Sequence, residues 1–463
     1  MKRIVIAGWL FAAAIFQVHG QTKVLTFEEA VRIAMQNSVV LNTQRNNLES
    51  SQIQKMASFV SIGPTVSLNS TAVRIDGNSF NPQTGTVING TRDNITGSLN
   101  ANINLFSGFQ TINTIKQNTN LVEAQAYNIK RVNQDVINTV ATQYLTVMLD
   151  GELLKIAKEN FDALSKQLEQ IKEQAALGAR SPVDEYNQDA QTKAAELRFV
   201  QAGIQLNNDK ALLTQTLLID PFEDFIVESP NWDINAIGNE TLDPRALAED
   251  AKLHRGDYLR AMRQESAQRF GMAATRGGMM PTLFAFGTYG SAYNFQHNVA
   301  DSVDDGSGNQ IPNPSTPRPF KEQFREDNVY KQYGLQLTIP ILNGFQSRST
   351  HVQQKILYEN SQLNRKNVEF QIQNDVLRTV RNYEGAKKSY LITIDQLKSA
   401  EVAFQLETER YNLGVTNFVD FVNANRAFVQ AEADKARAEY NLVFQKLLLD
   451  YAVGTLKIED IQK

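Results

Sequence analysis

Cysteine is absent from this 463-residue chain, which rules out disulfide staples, thiolate metal sites and cysteine nucleophiles in one step. Histidine is nearly as scarce: His19, His254, His297 and His351 stand far apart with no metal-ligand spacing. No nucleophile, base and orienting group fall at a recognisable interval either, so neither a metal enzyme nor any other enzyme is expected. Only 12 prolines interrupt the chain, which leaves long stretches free to stay helical. An excess of positive charge is also missing. The formal net charge is −4, whereas a nucleic-acid partner calls for a basic stripe. Beyond the N-terminus no uncharged apolar run reaches the roughly 20 residues of a membrane-spanning helix. If the chain enters a membrane, it must do so as strands.

The N-terminus carries an address. Lys2-Arg3 is a basic start, Ile4 to Phe16 is apolar, and Val18-His19-Gly20 precedes a cleavage point before Gln21, the pattern of a signal peptide over 1–20. The alternative, an uncleaved anchor, needs a longer apolar run than this one.

Two matched stretches organise the rest. Gly108-Phe109-Gln110 opens a proline-free run ending at Leu177-Gly178, and Gly344-Phe345-Gln346 opens another ending at Leu413-Gly414. The interval is 69 residues in both (177 − 108 and 413 − 344). As helices over 109–176 and 345–412 they would be rods of roughly 100 Å, far longer than the few turns usual in a globular core. Leu154, Ala157, Phe161, Leu164, Leu168, Ile171 and Ala175 step by three and four, which is a coiled-coil seam. Gly151, the one glycine inside the first run, is a candidate bend. Glycine after each terminal leucine suits a left-handed helix end. Ser181-Pro182-Val183-Asp184 then restarts a helix over 182–219, with a capping serine, proline at its first position and an acid at its third. A matching return helix over 418–456 follows the second rod.

Ahead of each rod the hydrophobic period changes. Thr26-Phe27-Glu28-Glu29 has the form of a capping box, and the helix it opens should end near Phe59, before Gly63-Pro64. A hairpin over 65–106 follows. Val66, Leu68, Ser70 and Ala72 alternate with polar residues, the turn-rich segment 76–93 reads as a loop, and Ile95, Gly97, Leu99, Ala101, Ile103 and Leu105 alternate with Thr96, Ser98, Asn100, Asn102 and Asn104. Each strand is then about ten residues long, with one oily and one wet side. A soluble antiparallel sheet and a transmembrane barrel both fit this pattern. The barrel is favoured because about ten residues cross a bilayer at barrel tilt, and because the flanking rods leave no helix to cover the oily side.

The second half repeats the first. Asp243-Pro244 answers Thr26-Phe27 and Pro281 answers Pro64, both at an offset of 217; after the strands the offset becomes 236. The difference falls inside a second hairpin over 282–342. There Leu283, Ala285, Gly287 and Tyr289 face one way, as do Tyr333, Leu335, Leu337, Ile339 and Ile341, around an exposed loop from Phe295 to Asn328. Phe106, Tyr289, Tyr293, Tyr330, Tyr333 and Phe345 lie towards strand ends, either as an aromatic girdle or as ordinary strand aromatics. Between the repeats, 220–242, with Pro230 and Trp232, reads as a linker packed on the rods. The chain is thus an α+β membrane protein with a duplicated helix-strand-strand-helix-helix repeat, 21–219 and 243–463. Four strands cannot close a barrel, and bare edges are not viable in lipid. Three copies would give twelve strands, continuing into a long helical barrel.

This layout resembles the TolC-type outer-membrane efflux and secretion channels over essentially the whole exported chain. The resemblance is carried by the duplication, the Leu-Phe-Ser-Gly-Phe-Gln and Ile-Leu-Asn-Gly-Phe-Gln junctions, the tips Leu177-Gly178 through Asp184 and Leu413-Gly414 through Asp420, and the closing Val453-Gly454-Thr455-Leu456. It implies a homotrimer in the outer membrane of a Gram-negative bacterium, its helices in the periplasm. The trimer would serve as a passive exit duct for an inner-membrane RND or ABC transporter reached through a periplasmic adaptor. By position it points to Asp184, Tyr411, Asp420 and Asn423 at the periplasmic gate, and to Leu177, Gly178, Leu413 and Gly414 as adaptor-docking tips. Both acids have a second reading, since each falls where a carboxylate stabilises a helix N-terminus by about 0.3–1 kcal/mol. Two departures stand out. Asn423 occupies a position where the family can have an aspartate, and Thr416 one where it can have an arginine, which implies a hydrogen-bonded closure weaker than a salt-bridge lock. The alternative from another class is an exported coiled-coil structural or adhesive protein whose hairpins pair in water.

Overall fold

The computed structural model describes residues 23–81, 85–228, 242–297, 302–304, 306–312, 316 and 318–456. The signal peptide expected over 1–20, and Pro230 and Trp232 of the expected linker, lie outside them. In chain order the elements are β1 (Lys23–Leu25), α1 (Phe27–Asn37), α2 (Val39–Val60), β2 (Thr65–Asn81), β3 (Thr86–Ser107), α3 (Gln110–Ala176), α4 (Pro182–Leu217), β4 (Phe225–Val227), α5 (Pro244–His254) and α6 (Gly256–Arg276). They continue with β5 (Thr282–Gln296), β6 (Ser302–Asp304), β7 (Gln310–Pro312), α7 (Phe320–Glu322), a π turn (Gln323–Asp327), β8 (Tyr330–Thr338), α8 (Gln346–Asn412) and α9 (Phe418–Val453). The paired helices have equal lengths: 67 residues in α3 and α8, 36 in α4 and α9. Gly151 lies inside α3 without interrupting it.

Two compact units share these elements, one made of Met1–Gln44, Ile129–Gly256 and Phe370–Lys463, the other of Arg45–Asn128 and Asp257–Glu369. The second holds an antiparallel four-stranded sheet in the order β2-β3-β5-β8. Its register aligns Leu68, Leu99 and Tyr289 in one cross-strand row, and Val66, Ala101, Gly287 and Tyr333 in the next. On this face Leu68, Tyr333, Leu335 and Leu337 are exposed. The opposite face carries Ser98, Asn100, Asn102 and Thr288, with Thr288 donating to Asn100 Oδ1 at 3.0 Å, alongside Phe284 and Phe286. A bulge between Asn104 and Phe106 sets Phe106, not Leu105, opposite Leu283.

These strands correct several sequence expectations. β2 and β3 have 17 and 22 residues rather than about ten, because 76–81 and 86–93 continue the ladder. Cross-strand pairs recruit its turn-like residues. Arg74 makes a bidentate contact with Asp93 (2.7 and 2.9 Å) and Thr91 donates to Asp76 (2.9 Å); pairs of this kind are the unit of sheet stability. β5 likewise runs on to Gln296, and the expected loop 295–328 contains β6, β7, α7 and the π turn. β8 stops at Thr338 instead of Ile341, ahead of Pro340, which has no N–H for a ladder. The helix expected to end near Phe59 is broken at Ser38, and its repeat partner at Arg255; both residues leave helical backbone (ψ 114° and 123°). The two breaks sit at the same offset of 217 as the helix starts.

In the first unit, Phe27, Ala30, Val31 and Ala34 of α1 pack with Val140, Tyr144 and Met148 of α3, Leu213 and Leu217 of α4, and Leu447 of α9. The linker contributes to this core. Its β4 pairs in parallel with β1, Phe225 is buried, and the Tyr144 hydroxyl lies 2.9 Å from the carbonyl oxygens of both Leu25 and Glu228.

At each strand-to-rod junction a glycine and the following phenylalanine take left-handed backbone: Gly108 (φ 60°) with Phe109 (65°), Gly344 (62°) with Phe345 (68°). The surroundings differ. A Cβ on Gly108 would lie 2.7 Å from both the Gly277 oxygen and Met280 Cβ, whereas one on Gly344 would meet nothing within 4 Å. Gly344→Ala should therefore cost about 1 kcal/mol of backbone strain, and Gly108→Ala clearly more. Comparing the thermal melts of the two variants checks the difference.

Candidate functional site

The site expected from the sequence lies at the turns closing the two helical hairpins, and all of its residues belong to the first unit. Both rods end in the same hydrogen-bonded turn. Gly178 N–H donates to Ala175 O (3.0 Å) and Ala179 N–H to Gln174 O (2.8 Å); Gly414 N–H donates to Tyr411 O (3.1 Å) and Val415 N–H to Arg410 O (2.8 Å). This is the Schellman pattern, which needs a left-handed residue, and Gly178 (φ 74°) and Gly414 (φ 72°) supply it. The flanking Leu177 and Leu413 are 85 % and 79 % exposed. Val183, Tyr186, Val415 and Val419 are exposed beside them, so apolar side chains crowd two turns that have no core to enter.

The return helices start with different caps. Ser181 Oγ accepts from Val183 N–H (3.2 Å) with Pro182 opening α4, which leaves the Asp184 carboxylate half-buried in the first turn. In the second tip Asn417 Oδ1 accepts from Asp420 N–H (2.9 Å) while its Nδ2 donates to Asp420 Oδ2 (2.9 Å). Thr416 Oγ1 reaches the same carboxylate oxygen at 3.3 Å. Asp420 is thus an exposed member of a reciprocal cap, and Asn423 is exposed one turn further along α9.

Tyr411 is different in kind. It is only 3 % exposed, stacked on Phe421 (5.0 Å, 20°) and tilted against Phe418 (6.1 Å). Burial pushes its phenol pKa up, with the charge of Arg180 opposing and that of Asp184 adding. Its hydroxyl is buried with no hydrogen-bond partner among the described residues.

What holds Tyr411 from the other tip is Arg180, which the sequence reading did not single out. Its guanidinium lies 4.3 Å from the Tyr411 ring centroid, donates to the Tyr411 carbonyl (3.2 Å) and reaches Gln174 Oε1 (3.3 Å). Thr416 stands where the family can have an arginine, and the first tip supplies one in Arg180. Arg180 and Tyr411 join the two hairpins, with the charge of Asp184 bearing on the Tyr411 phenol, while Asp420 is held by Thr416 and Asn417 instead. Nothing local marks Arg180; the only available signal was that an arginine beside a helix restart can reach an aromatic 231 residues away. Losing a cation–π contact and a hydrogen bond costs about 1 kcal/mol each. Arg180→Ala should therefore speed hydrogen exchange of the Gly414 and Val415 amides at least about five-fold, with the rod amides unchanged.

Further up the rods, a cavity of about 470 Å³ lies among α3, α4 and α9, lined by Asp150, Ile156, Gln201, Gln205, Val429 and Arg437 among others. Asp150 is 8 % exposed. Burial, followed by the hydrogen bond and charge of Asp209 on α4, pushes its carboxyl pKa up to about 7. A carboxyl whose pKa is higher in the fold than in the unfolded chain favours folding when protonated. Its contribution is complete below the ordinary value of 3.8 and is lost as pH rises through about 7. The melting temperature should accordingly decline between pH 5 and pH 8, and Asp150→Asn should make that decline shallower in a calorimetric pH series.

Against this geometry, comparisons with known proteins are decisive. The family model for outer membrane efflux proteins matches residues 32–217 and 261–455. The chain belongs to the outer membrane efflux protein family. It is a channel of the Gram-negative outer membrane and not an enzyme. Among its relatives in that family, outer membrane protein TolC of Vibrio cholerae is 22 % identical over 329 residues, 71 % of this chain and 69 % of that protein. TolC of Escherichia coli is 22 % identical over 336 residues, 71 % of this chain and 63 % of that protein. The solved CmeC outer membrane channel of Campylobacter jejuni superposes with a TM-score of 0.76 over 94 % of this chain and 88 % of its own, at 15 % identity, so the fold is shared where little sequence is.

Proposed function

We propose that this efflux protein works as a homotrimer whose three sheets complete a twelve-strand barrel, forming a passive exit duct for an inner-membrane transporter of the RND or ABC class joined through a periplasmic adaptor. One observation carries the reading: a four-stranded sheet with exposed apolar side chains on one face, Asn, Ser and Thr among those on the other, and, among the described residues, no strand paired to the outer edges of β2 and β8. In hydrocarbon, edge N–H and C=O groups left unpaired cost several kcal/mol each, so such a sheet must close with copies of itself. The Asn, Ser and Thr of the polar face then line water and select little, which leaves the choice of cargo to the transporter.

The hairpin tips form the periplasmic mouth in this reading. The exposed Leu177 and Leu413, presented by Gly178 and Gly414, are the surface on which an adaptor docks. Tyr411, clasped by Arg180, holds each chain's two hairpins together, with Asp184 in the first turn of α4 at the same mouth. Asp420 and Asn423 face the mouth, where three copies of one acid make a cation-attracting ring.

Deleting the gene should sensitise cells to efflux substrates, and the protein should run from outer-membrane fractions as a heat-modifiable trimer; a monomer that osmotic shock releases in full contradicts the proposal. Asp420→Ala removes both a cap ligand and the ring. It should raise single-channel conductance in planar bilayers, and an unchanged conductance removes Asp420 from the gate.

A further inference from the structure

We infer that Pro319–Asn328 is an intersubunit wedge, which takes the lateral place of β8 in the upper part of the sheet and packs against the free edge of β2 in a second copy of this chain. The inference rests on the trimeric barrel proposed above and extends it.

The ladder between β5 and β8 stops at Gly290 and Tyr330, while β5 continues to Gln296. The edge left beyond Gly290 is not bare. The buried side-chain amide of Gln323 does what a neighbouring strand would do: its Nε2 donates to Asn294 O (3.0 Å) and its Oε1 accepts from Asn294 N–H (3.1 Å). Asn328 Nδ2 donates to Ala292 O (2.8 Å), and Ser291 Oγ donates to Phe324 O (2.6 Å). Side chains fasten the same segment to the sheet face. The Phe324 ring lies 3.0 Å from where a Cβ on Gly97 would stand, is stacked on Phe320 (5.1 Å, 17°), and Phe320 meets Tyr293 edge-on (5.1 Å). Arg318 closes the segment with ion pairs to Glu322 (3.0 Å) and Asp327 (2.7 Å). This is a built element fixed to β3 and β5.

Its other side is set by a length mismatch. β2 has 17 residues and β8 nine. β2 begins and β8 ends at the helix-proximal side of the sheet, so where β8 of one copy meets β2 of the next, β8 runs out and about half of β2 continues. The edge N–H and C=O groups of that half are left without a strand from β8 and remain open to pairing, and the element standing where β8 would have continued is the wedge. Its exposed residues are Pro319, Phe320, Lys321, Arg325, Glu326 and Asp327, four of the six charged. Charged side chains are costly against hydrocarbon but suit the polar edge of a strand, as Gln323 suits β5. The occupant this favours is therefore a second copy of the chain and not lipid.

The absence of cysteine makes the test direct. In intact outer membranes, Glu326→Cys is combined in turn with Arg74→Cys, Ile75→Cys, Asp76→Cys, Asn78→Cys and Phe80→Cys, and oxidised. A control series combines Leu335→Cys with single cysteines walked from Ser67 to Val73 on β2. Expected are disulfide-linked dimers and trimers on non-reducing denaturing gels in both series. If the control cross-links copies while every Glu326 combination stays monomeric, the wedge is refuted and the barrel stands. If neither series links copies, the barrel itself falls and the wedge with it.

Discussion

A β-strand in hydrocarbon cannot leave its edge hydrogen bonds unmade, and that single requirement accounts for more of this molecule than any packing term. The sheet of one chain has two edges and an apolar face covered only near Gly97 and Tyr293, by Phe324 and Phe320, which is an unfinished object in any solvent. In the proposed trimer, association supplies the missing strands. Gln323 shows the same requirement met at smaller scale, one side-chain amide satisfying both backbone groups of Asn294. The long helices carry no such demand, since each closes its own ladder except at the ends. There the Schellman turns and the Ser181 and Asn417 caps satisfy what is left.

The duplication is strict where geometry must match and loose where it need not. Rods, turns and return helices keep a constant offset of 236, and the capped helix starts and mid-helix breaks keep 217. The caps themselves differ, Ser181-Pro182 in one tip and Thr416-Asn417-Asp420 in the other, because several side chains can satisfy the same orphan N–H groups. The tips have also diverged in role. The second contributes the buried Tyr411 and the first the cation that holds it, so the clasp exists only because the two halves are no longer identical.

Legibility followed the range of the interactions involved. The rods, their leucine–glycine ends and the return helices rest on local rules of period, capping and φ, and could be read directly. The upper halves of β2 and β3 could not, because Asp76, Gly77, Asn78 and Asp93 look like turn residues until Arg74 and Thr91 are set opposite them. The β1–β4 pairing is three residues long and joins positions some 200 residues apart, too short for any period. Arg180 and the Asp150–Asp209 pair were invisible for the same reason: nothing in their neighbourhood distinguishes them from the solvated charges along a long helix. Of the residues read as a gate, Tyr411 has become part of the internal packing of the tips, while Asp184, Asp420 and Asn423 sit in or beside the first turns of the return helices.

The equal lengths of the two hairpins restrict how such a protein can evolve. A heptad gained in α3 alone would carry its turn about 10 Å past the turn of α8 and pull Arg180 away from Tyr411. Length changes are tolerated only when they arrive as a concerted pair, or as a gain in a rod with its compensating gain in the return helix repeated in the other half. Reach is therefore a quantised property of this architecture, inherited in matched blocks rather than adjusted residue by residue.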